Sequence, residues 1–314
     1  MFLHRRYFEK EGIDYMKLPL YALLAFLGGV SFGILSTFVK IAYGHGFEPG
    51  QVIGVQFFVG TVMFWIIYLF RKKESIQASM VGKLIVSGIP MALSGLFYYK
   101  SLEYLDASIA IIMLFQFSWM GLFAEWILDR RFPTAEKWLS AVILFVGSLL
   151  GADVLGASIE DLSTTGVFWG LLAAVSFTAF INVSGRVGIT VPAITKSMLM
   201  ATGSLLTAWI AFPPVFLTDG SFFGDGLVYY GLMLGFFGVV LPPLLFSISM
   251  PKVGSGLGTI LSSSELPTAV FMSMVVLGEH VGILQWIGVL VVLFGISLPN
   301  FKYIRFRTRR KANS

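Results

Sequence analysis

Residues 226–249 read GLVYYGLMLGFFGVVLPPLLFSIS, and residues 254–277 read GSGLGTILSSSELPTAVFMSMVVL, with Pro251 and Lys252 in the short break between them. A membrane-spanning helix needs about 20 mostly apolar residues. Each run is long enough; the first holds no charge, and the second holds only Glu265. Two such runs in tandem place the chain among polytopic membrane proteins. The same criterion, carried outward, marks further spans at 19–42, 51–70, 83–101, 107–128, 138–153, 166–184, 197–217 and 283–301. The expected fold is therefore an all-α polytopic membrane protein of ten transmembrane helices.

Composition agrees. Of 314 residues, 56% are hydrophobic and 12% are charged, against about 25% charged in a soluble domain. Mean hydropathy is +0.84, and the 34 glycines fit membrane helices, in which Gly is frequent. The net charge of +5 is too small and too clustered for a surface that tracks phosphates, so no nucleic-acid partner is expected. Cysteine is absent, which removes disulfides, thiolate chemistry and Cys metal sites. His4, His45 and His280 fall in tails or loops, so neither a metal nor a cofactor is expected.

Residues 1–17 form a polar tail with Arg5, Arg6, Lys10 and Lys17. A signal peptide has an apolar region of about 7–15 residues before a small-residue cleavage site. Here the run continues through Phe38, so it reads as an uncleaved first helix. Lys and Arg collect on the cytoplasmic side of membrane proteins. With ten spans, all of the 22 basic residues except Lys40 and Lys100 fall on one side. That side takes Arg71, Lys72, Lys73, Lys83, Arg130, Arg131, Lys137, Arg186, Lys196 and Lys252, together with both tails. Both termini are expected in the cytoplasm, and the expected location is a cell membrane of the bacterial plasma-membrane type.

The chain also repeats itself. Val30-Ser31-Phe32 recurs as Val175-Ser176-Phe177, Leu128-Asp129-Arg130 aligns with Leu277-Gly278-Glu279, and Trp138 and Gly147 align with Trp286 and Gly295. The matches keep order and nearly constant spacing. They divide the chain into a first five-helix repeat at 18–153, a second at 154–301 and a basic tail at 302–314. Five is odd, so the second repeat is expected to sit inverted relative to the first, a recurrent design of secondary transporters.

These residues resemble the drug/metabolite transporter superfamily, specifically its EamA-type ten-helix permeases. The resemblance rests on Gly95-Leu96-Phe97-Tyr98-Tyr99-Lys100-Ser101-Leu102-Glu103-Tyr104-Leu105-Asp106-Ala107-Ser108 and on Ser264-Glu265-Leu266-Pro267-Thr268-Ala269 with Leu277-Gly278-Glu279. Gln285-Trp286-Ile287-Gly288, Gly295 and Lys40 also carry it. Two departures stand in the first half: Ser118 where the second has Pro267, and Asp129-Arg130 in place of Gly-Glu. The resemblance implies two EamA-like halves that move amino acids or other small metabolites, commonly outward, without nucleotide hydrolysis.

Glu265 is the sharpest site candidate, since an acid at mid-span costs about 2.5–3.5 kcal/mol on insertion scales and marks a substrate or proton path. Ser262 and Thr268, three residues to either side, share its helical face, and Pro267 leaves a backbone carbonyl without its donor. Gln116 takes the repeat-equivalent place in the fourth span, with Trp119 one turn on. Asn182 and Thr178 form a polar strip in the sixth. Ser31 and Ser176 read as close-packing positions. Lys40 either attracts a carboxylate or snorkels to the interface. Tyr98 and Tyr99 read as an aromatic belt or as a gate. Glu125 and Asp129 are expected to pair with Arg130 or Arg131, and Pro90 and Pro242-Pro243 to kink paired helices.

The function that follows is secondary transport, as an exporter of a small metabolite such as an amino acid, by alternating access around a midplane cavity. The partners are this small-molecule substrate, membrane lipid and, through Glu265, protons. Alternatives are an uncoupled facilitator of the same fold and a membrane-embedded lipid-modifying enzyme. The enzyme would need paired carboxylates, a His/Asp cluster or an activated nucleophile, and the sequence offers none together, so no enzymatic activity is expected. A sensor or scaffold would need a soluble domain that these loops are too short to hold. Substrate identity and direction are open, as is the choice between monomer and homodimer.

Overall fold

The computed structural model describes residues 17–71, 76–105, 107–130, 132–152 and 163–300. Arg5, Arg6, Lys10, Lys72, Lys73, Arg131 and the basic residues from Lys302 onward lie outside the described residues. Regular structure among the described residues is helical throughout: α1 Leu18–Gly44, α2 Pro49–Leu69, α3 Ala78–Val86, α4 Ile89–Leu102, α5 Ala107–Phe115, α6 Phe117–Asp129 and α7 Ala135–Gly151. Then come α8 Thr164–Arg186, α9 Ala193–Ala211, α10 Leu227–Leu234, α11 Leu241–Val253, α12 Ser255–Ser262, α13 Glu265–Leu277 and α14 Ile283–Ser297.

Seven helical stretches are long and apolar enough to cross a membrane: α1, α2, α3–α4, Ile109–Asp129 in α5–α6, α8, α10–α11 and α12–α13. The other three expected spans correspond to α7, α9 and α14. The 17-residue α7 and the 15-residue α14 are short. The 19-residue α9 is long enough but carries Lys196 among Thr195, Ser197, Thr202, Ser204 and Thr207.

Lys196 corrects an expectation. It was placed in a loop, but Pro192 caps α9 and puts Lys196 in the first helical turn. There the side chain is 1% exposed and its ammonium donates to the Ser184 carbonyl at 2.6 Å. Ser184 lies in the last turn of α8, so the cation meets the negative end of that helix.

Four stretches are broken in the middle, each near a proline or a polar step. Pro90 opens α4 beyond a turn at Ser87-Gly88, and Pro242-Pro243 follow a wide π turn over Gly235–Val240. Pro267 follows the Ser263-Ser264 turn between α12 and α13, and Gln116 interrupts α5–α6. A proline inside a helix removes one donor and clashes with the carbonyl four residues back, so the ladder breaks just ahead of each. Two of these breaks sit against another backbone: a Cβ at Gly88 would meet the Met200 carbonyl, and one at Gly235 would meet Gly60. Only glycine permits such approaches.

Side-chain contacts sort the helix ends onto two faces. Asp129 pairs with Arg186 at 2.8 Å and Glu125 with Lys137 at 2.6 Å, while Gly188 abuts Leu84. This basic face also carries Lys83 and Lys252. On the opposite face Lys40 pairs with Glu279 at 3.1 Å, Tyr43 meets Tyr99, and Phe47 meets Tyr230. Asp129 and Glu125 therefore do not pair with Arg130 as expected, because neighbours at a helix end point in different directions.

At the centre, Phe32 of α1 meets Phe177 of α8 edge-on, with ring centroids 5.6 Å apart. These are corresponding residues of the sequence repeat. Phe117 packs on Phe177 at 4.7 Å, and Phe246 contacts both Phe32 and Phe180. The interior is a layer of interlocked aromatic rings on which α1, α6, α8 and α11 converge.

Candidate functional site around Glu265

Glu265 is the first residue of α13, just past the Ser263-Ser264 turn. The serine hydroxyls before it are occupied. Ser262 donates to the Gly258 carbonyl at 2.8 Å, Ser263 to Thr259 at 3.2 Å, and Ser264 crosses to the Phe26 carbonyl of α1 at 2.6 Å. Thr268 donates back to the Ser264 carbonyl at 2.9 Å. Pro267 supplies no donor for the Ser263 carbonyl. Gly33 lets α1 lie directly on this turn, since a Cβ there would strike the Glu265 carbonyl and Thr268.

The Glu265 carboxylate itself has no hydrogen-bond or ion-pair partner among the described residues. Protein surrounds it, yet it keeps accessible surface while Ser262, Ser263, Ser264, Leu266 and Pro267 are buried. That combination describes a side chain lining an internal space. The first turn of a helix carries partial positive charge, which is the one local feature that favours an ionised carboxylate there.

Tyr98 of α4 lies within electrostatic reach of Glu265 and packs beside Ile109 and Ala110 of α5. Its ring is 6.0 Å from that of Tyr99, and Tyr99 in turn is 6.1 Å from Tyr43 of α1. The Tyr43 hydroxyl is buried beside that of Tyr99. One turn before these tyrosines, the space beside Gly95 is open: a Cβ there would meet nothing within 4 Å. α4 packs on α8, α9, α5 and α2, whereas α1 packs on α11, α13, α12 and α10. α1 and α4 thus pack on different partners, and we refer to the separation between them as the gap: Gly95 and Tyr98 lie on its α4 side, Glu265 is within electrostatic reach of Tyr98, and Tyr43 of α1 meets Tyr99 of α4 toward the opposite face.

The remaining sequence candidates lie elsewhere. Gln116 is 8% exposed and both ends of its amide are engaged, donating to the Ile112 carbonyl at 2.8 Å and accepting from the Trp119 indole at 2.7 Å. Trp119 continues into a ladder of rings with Phe123 and Trp138. Asn182 is buried and donates to the Thr178 carbonyl at 2.9 Å, leaving its amide oxygen unpartnered. Ser262 is fully buried against its own helix. Lys40 sits on the opposite face, about half exposed, bonded to both carboxylate oxygens of Glu279. Sequence reasoning gave no site role to Tyr43 or to Gly95, the latter named only as the start of the family-like stretch, because neither differs locally from an ordinary helix-end tyrosine or packing glycine.

Broken helices that meet around an unpaired acid, inside a bundle of apolar spans, define a multi-pass membrane protein of the carrier type. Residues 19–151 and 164–301 each match the EamA-like transporter family, and the chain belongs to that family. A curated relative from Bacillus subtilis (strain 168), the uncharacterized transporter YcbK, is 21% identical over 293 residues, 91% of this chain and 93% of that protein. A solved crystal structure with 16% identity shares the fold at a TM-score of 0.68, over 87% of this chain and 96% of that one.

Proposed function

We propose that the protein is a secondary transporter that exports a small metabolite by alternating access, coupled to a proton carried by Glu265. It works as ten transmembrane helices in two inverted five-helix repeats, 18–153 and 154–301, with both termini in the cytoplasm. The observation that carries the reading is the unpartnered Glu265 carboxylate at the start of a broken helix facing an internal gap. Sites of secondary transporters form at such discontinuous helices near the midplane.

Three further observations support the inversion. The breaks fall at corresponding places in the two halves: Ser87-Gly88 with Gly235–Val240, and Gln116 with Ser263-Ser264. Helix packing follows the same exchange, since α4 on α8 corresponds to α11 on α1, and α6 on α8 to α13 on α1. The ion pairs obey it too. Asp129–Arg186 ties the end of α6 to the end of α8 on the basic face, and Glu279–Lys40 ties the end of α13 to α1 on the opposite face.

The two sides of the bundle are not equally closed. On the basic side Phe246, the repeat counterpart of Tyr98, is fully buried against Phe180 and Phe32, and Gly185 abuts Met250. On the opposite side Tyr98 keeps accessible surface and the space at Gly95 is open.

The test is an efflux and metabolite-resistance screen in cells overproducing the chain, repeated with Glu265→Gln. The expected result is resistance to at least one metabolite class, with lowered cellular content, that the variant loses. Conversion of the metabolite without efflux would overturn the reading in favour of an enzyme. Unchanged resistance in the variant would remove Glu265 from the transport cycle.

A further inference from the structure

The charges around the gap restrict what it can hold, and the restriction is chemical. Among the described residues, basic side chains lie away from it. Lys17, Arg71, Lys83, Arg130, Lys137, Arg186 and Lys252 belong to the basic face. Lys40 and Lys100 are exposed on the opposite face and bonded to Glu279 and Glu103. Lys196 is spent on the Ser184 carbonyl at the basic end of α8. The positive end of α13 is already answered by Glu265 in its own first turn.

Among the described residues the gap therefore presents the Glu265 carboxylate and no fixed cation. The neighbouring groups are tyrosine rings: Tyr98 beside Glu265, then Tyr99 and Tyr43 in a chain of ring contacts at 6.0 and 6.1 Å. Aromatic faces attract ammonium groups, more strongly where water is excluded. A buried charge without a partner is unfavourable, so Glu265 favours a ligand that brings a positive charge. A carboxylate on that ligand would lie close to Glu265 with nothing to compensate it.

We propose that the gap selects organic amines in their cationic form and discriminates against the corresponding amino acids and carboxylic acids. The assignment rests on the transport reading and names the substrate class of the same site. It narrows the amino acids or other small metabolites that the family resemblance implies, because an amino acid carries a carboxylate that would lie against Glu265 uncompensated.

Three probes with the same phenyl ring test it: 2-phenylethylamine, phenylalanine and phenylacetate, titrated by calorimetry into the purified full chain in lipid nanodiscs. The amine is expected to bind at least tenfold more tightly than phenylalanine, and phenylacetate to show no saturable binding. Glu265→Gln is expected to weaken the amine at least tenfold. Phenylalanine within tenfold of the amine, saturable phenylacetate binding, or no amine binding overturns the proposal. So does an unchanged amine affinity in Glu265→Gln. Should that variant fail to assemble, the wild-type ranking of the three probes decides alone. Phenylalanine flux without amine binding would overturn the amine assignment and leave the transport reading standing. Glu265-dependent amine binding without flux of any solute would do the reverse.

Discussion

Glu265→Gln will lower gradient-driven flux in proteoliposomes by at least tenfold while leaving the protein folded, with a melting temperature equal to or above that of the wild type. The two halves of this expectation have one cause. The carboxylate has no bond to any described residue, so glutamine breaks nothing that holds the bundle together. Removing an unpaired charge from the interior relieves a desolvation penalty, which is why stability is not expected to fall. The proton-carrying and cation-attracting chemistry proposed for the carboxylate is nevertheless lost with it. A structural acid would behave in the opposite way, because leaving a partner unsatisfied in the interior typically costs about 1–3 kcal/mol. Flux and thermal melting measured on the same preparation separate the two. Full flux in the variant, or a large drop in melting temperature, would each contradict the account.

Gly95→Trp will block transport to a similar degree. A Cβ at this position meets nothing within 4 Å, so the side chain starts into open space one turn from Tyr98. Small-to-large changes in packed cores destabilise by about 1–3 kcal/mol, and the melting temperature of the variant checks that this cost is absent here. Gly82→Trp serves as the control. Gly82 also has nothing within 4 Å of a built Cβ, but it lies on α3, on the surface of the basic face. The expected outcome is near-native melting for both variants and at least tenfold loss of flux in Gly95→Trp alone. Equal flux in the two would show that the gap is not on the transport path.

Much of this is legible in the amino-acid sequence, and the reasons are specific. Glu265 stands out because an acid within an apolar run is expensive. The repeat was legible in Val30-Ser31-Phe32 and Val175-Ser176-Phe177, and it leads directly to the Phe32–Phe177 contact. Pro90, Pro242-Pro243 and Pro267 announced the helix breaks.

Other features were hidden, each for its own reason. Ser262 was expected to share the face of Glu265 on three-residue spacing, but the Ser263-Ser264 turn interrupts the helix between them and resets its phase. Lys196 was assigned to a loop because hydropathy penalises its charge, whereas the structure lets that charge cap α8. Gln116 and Trp119 were rightly read as one turn apart, yet they bond each other, which spacing alone does not reveal. The charges at the end of α6 find Lys137 and Arg186, partners that depend on helix packing rather than on chain proximity. The separation between α1 and α4 exists only in three dimensions, so nothing in the sequence assigned Tyr43 or Gly95 to a site.

The most direct test of alternating access uses the absence of cysteine from the natural sequence. A single Gly95→Cys substitution places a unique thiol in the gap, and Gly82→Cys places one on the basic face. Each is treated in oriented membranes with a membrane-impermeant maleimide added from one face or the other. The account predicts that the thiol at position 95 is labelled from either face while the membrane stays impermeable to the reagent, and that the thiol at position 82 is labelled from the basic face only. Labelling of position 95 from a single face under every imposed gradient would contradict it.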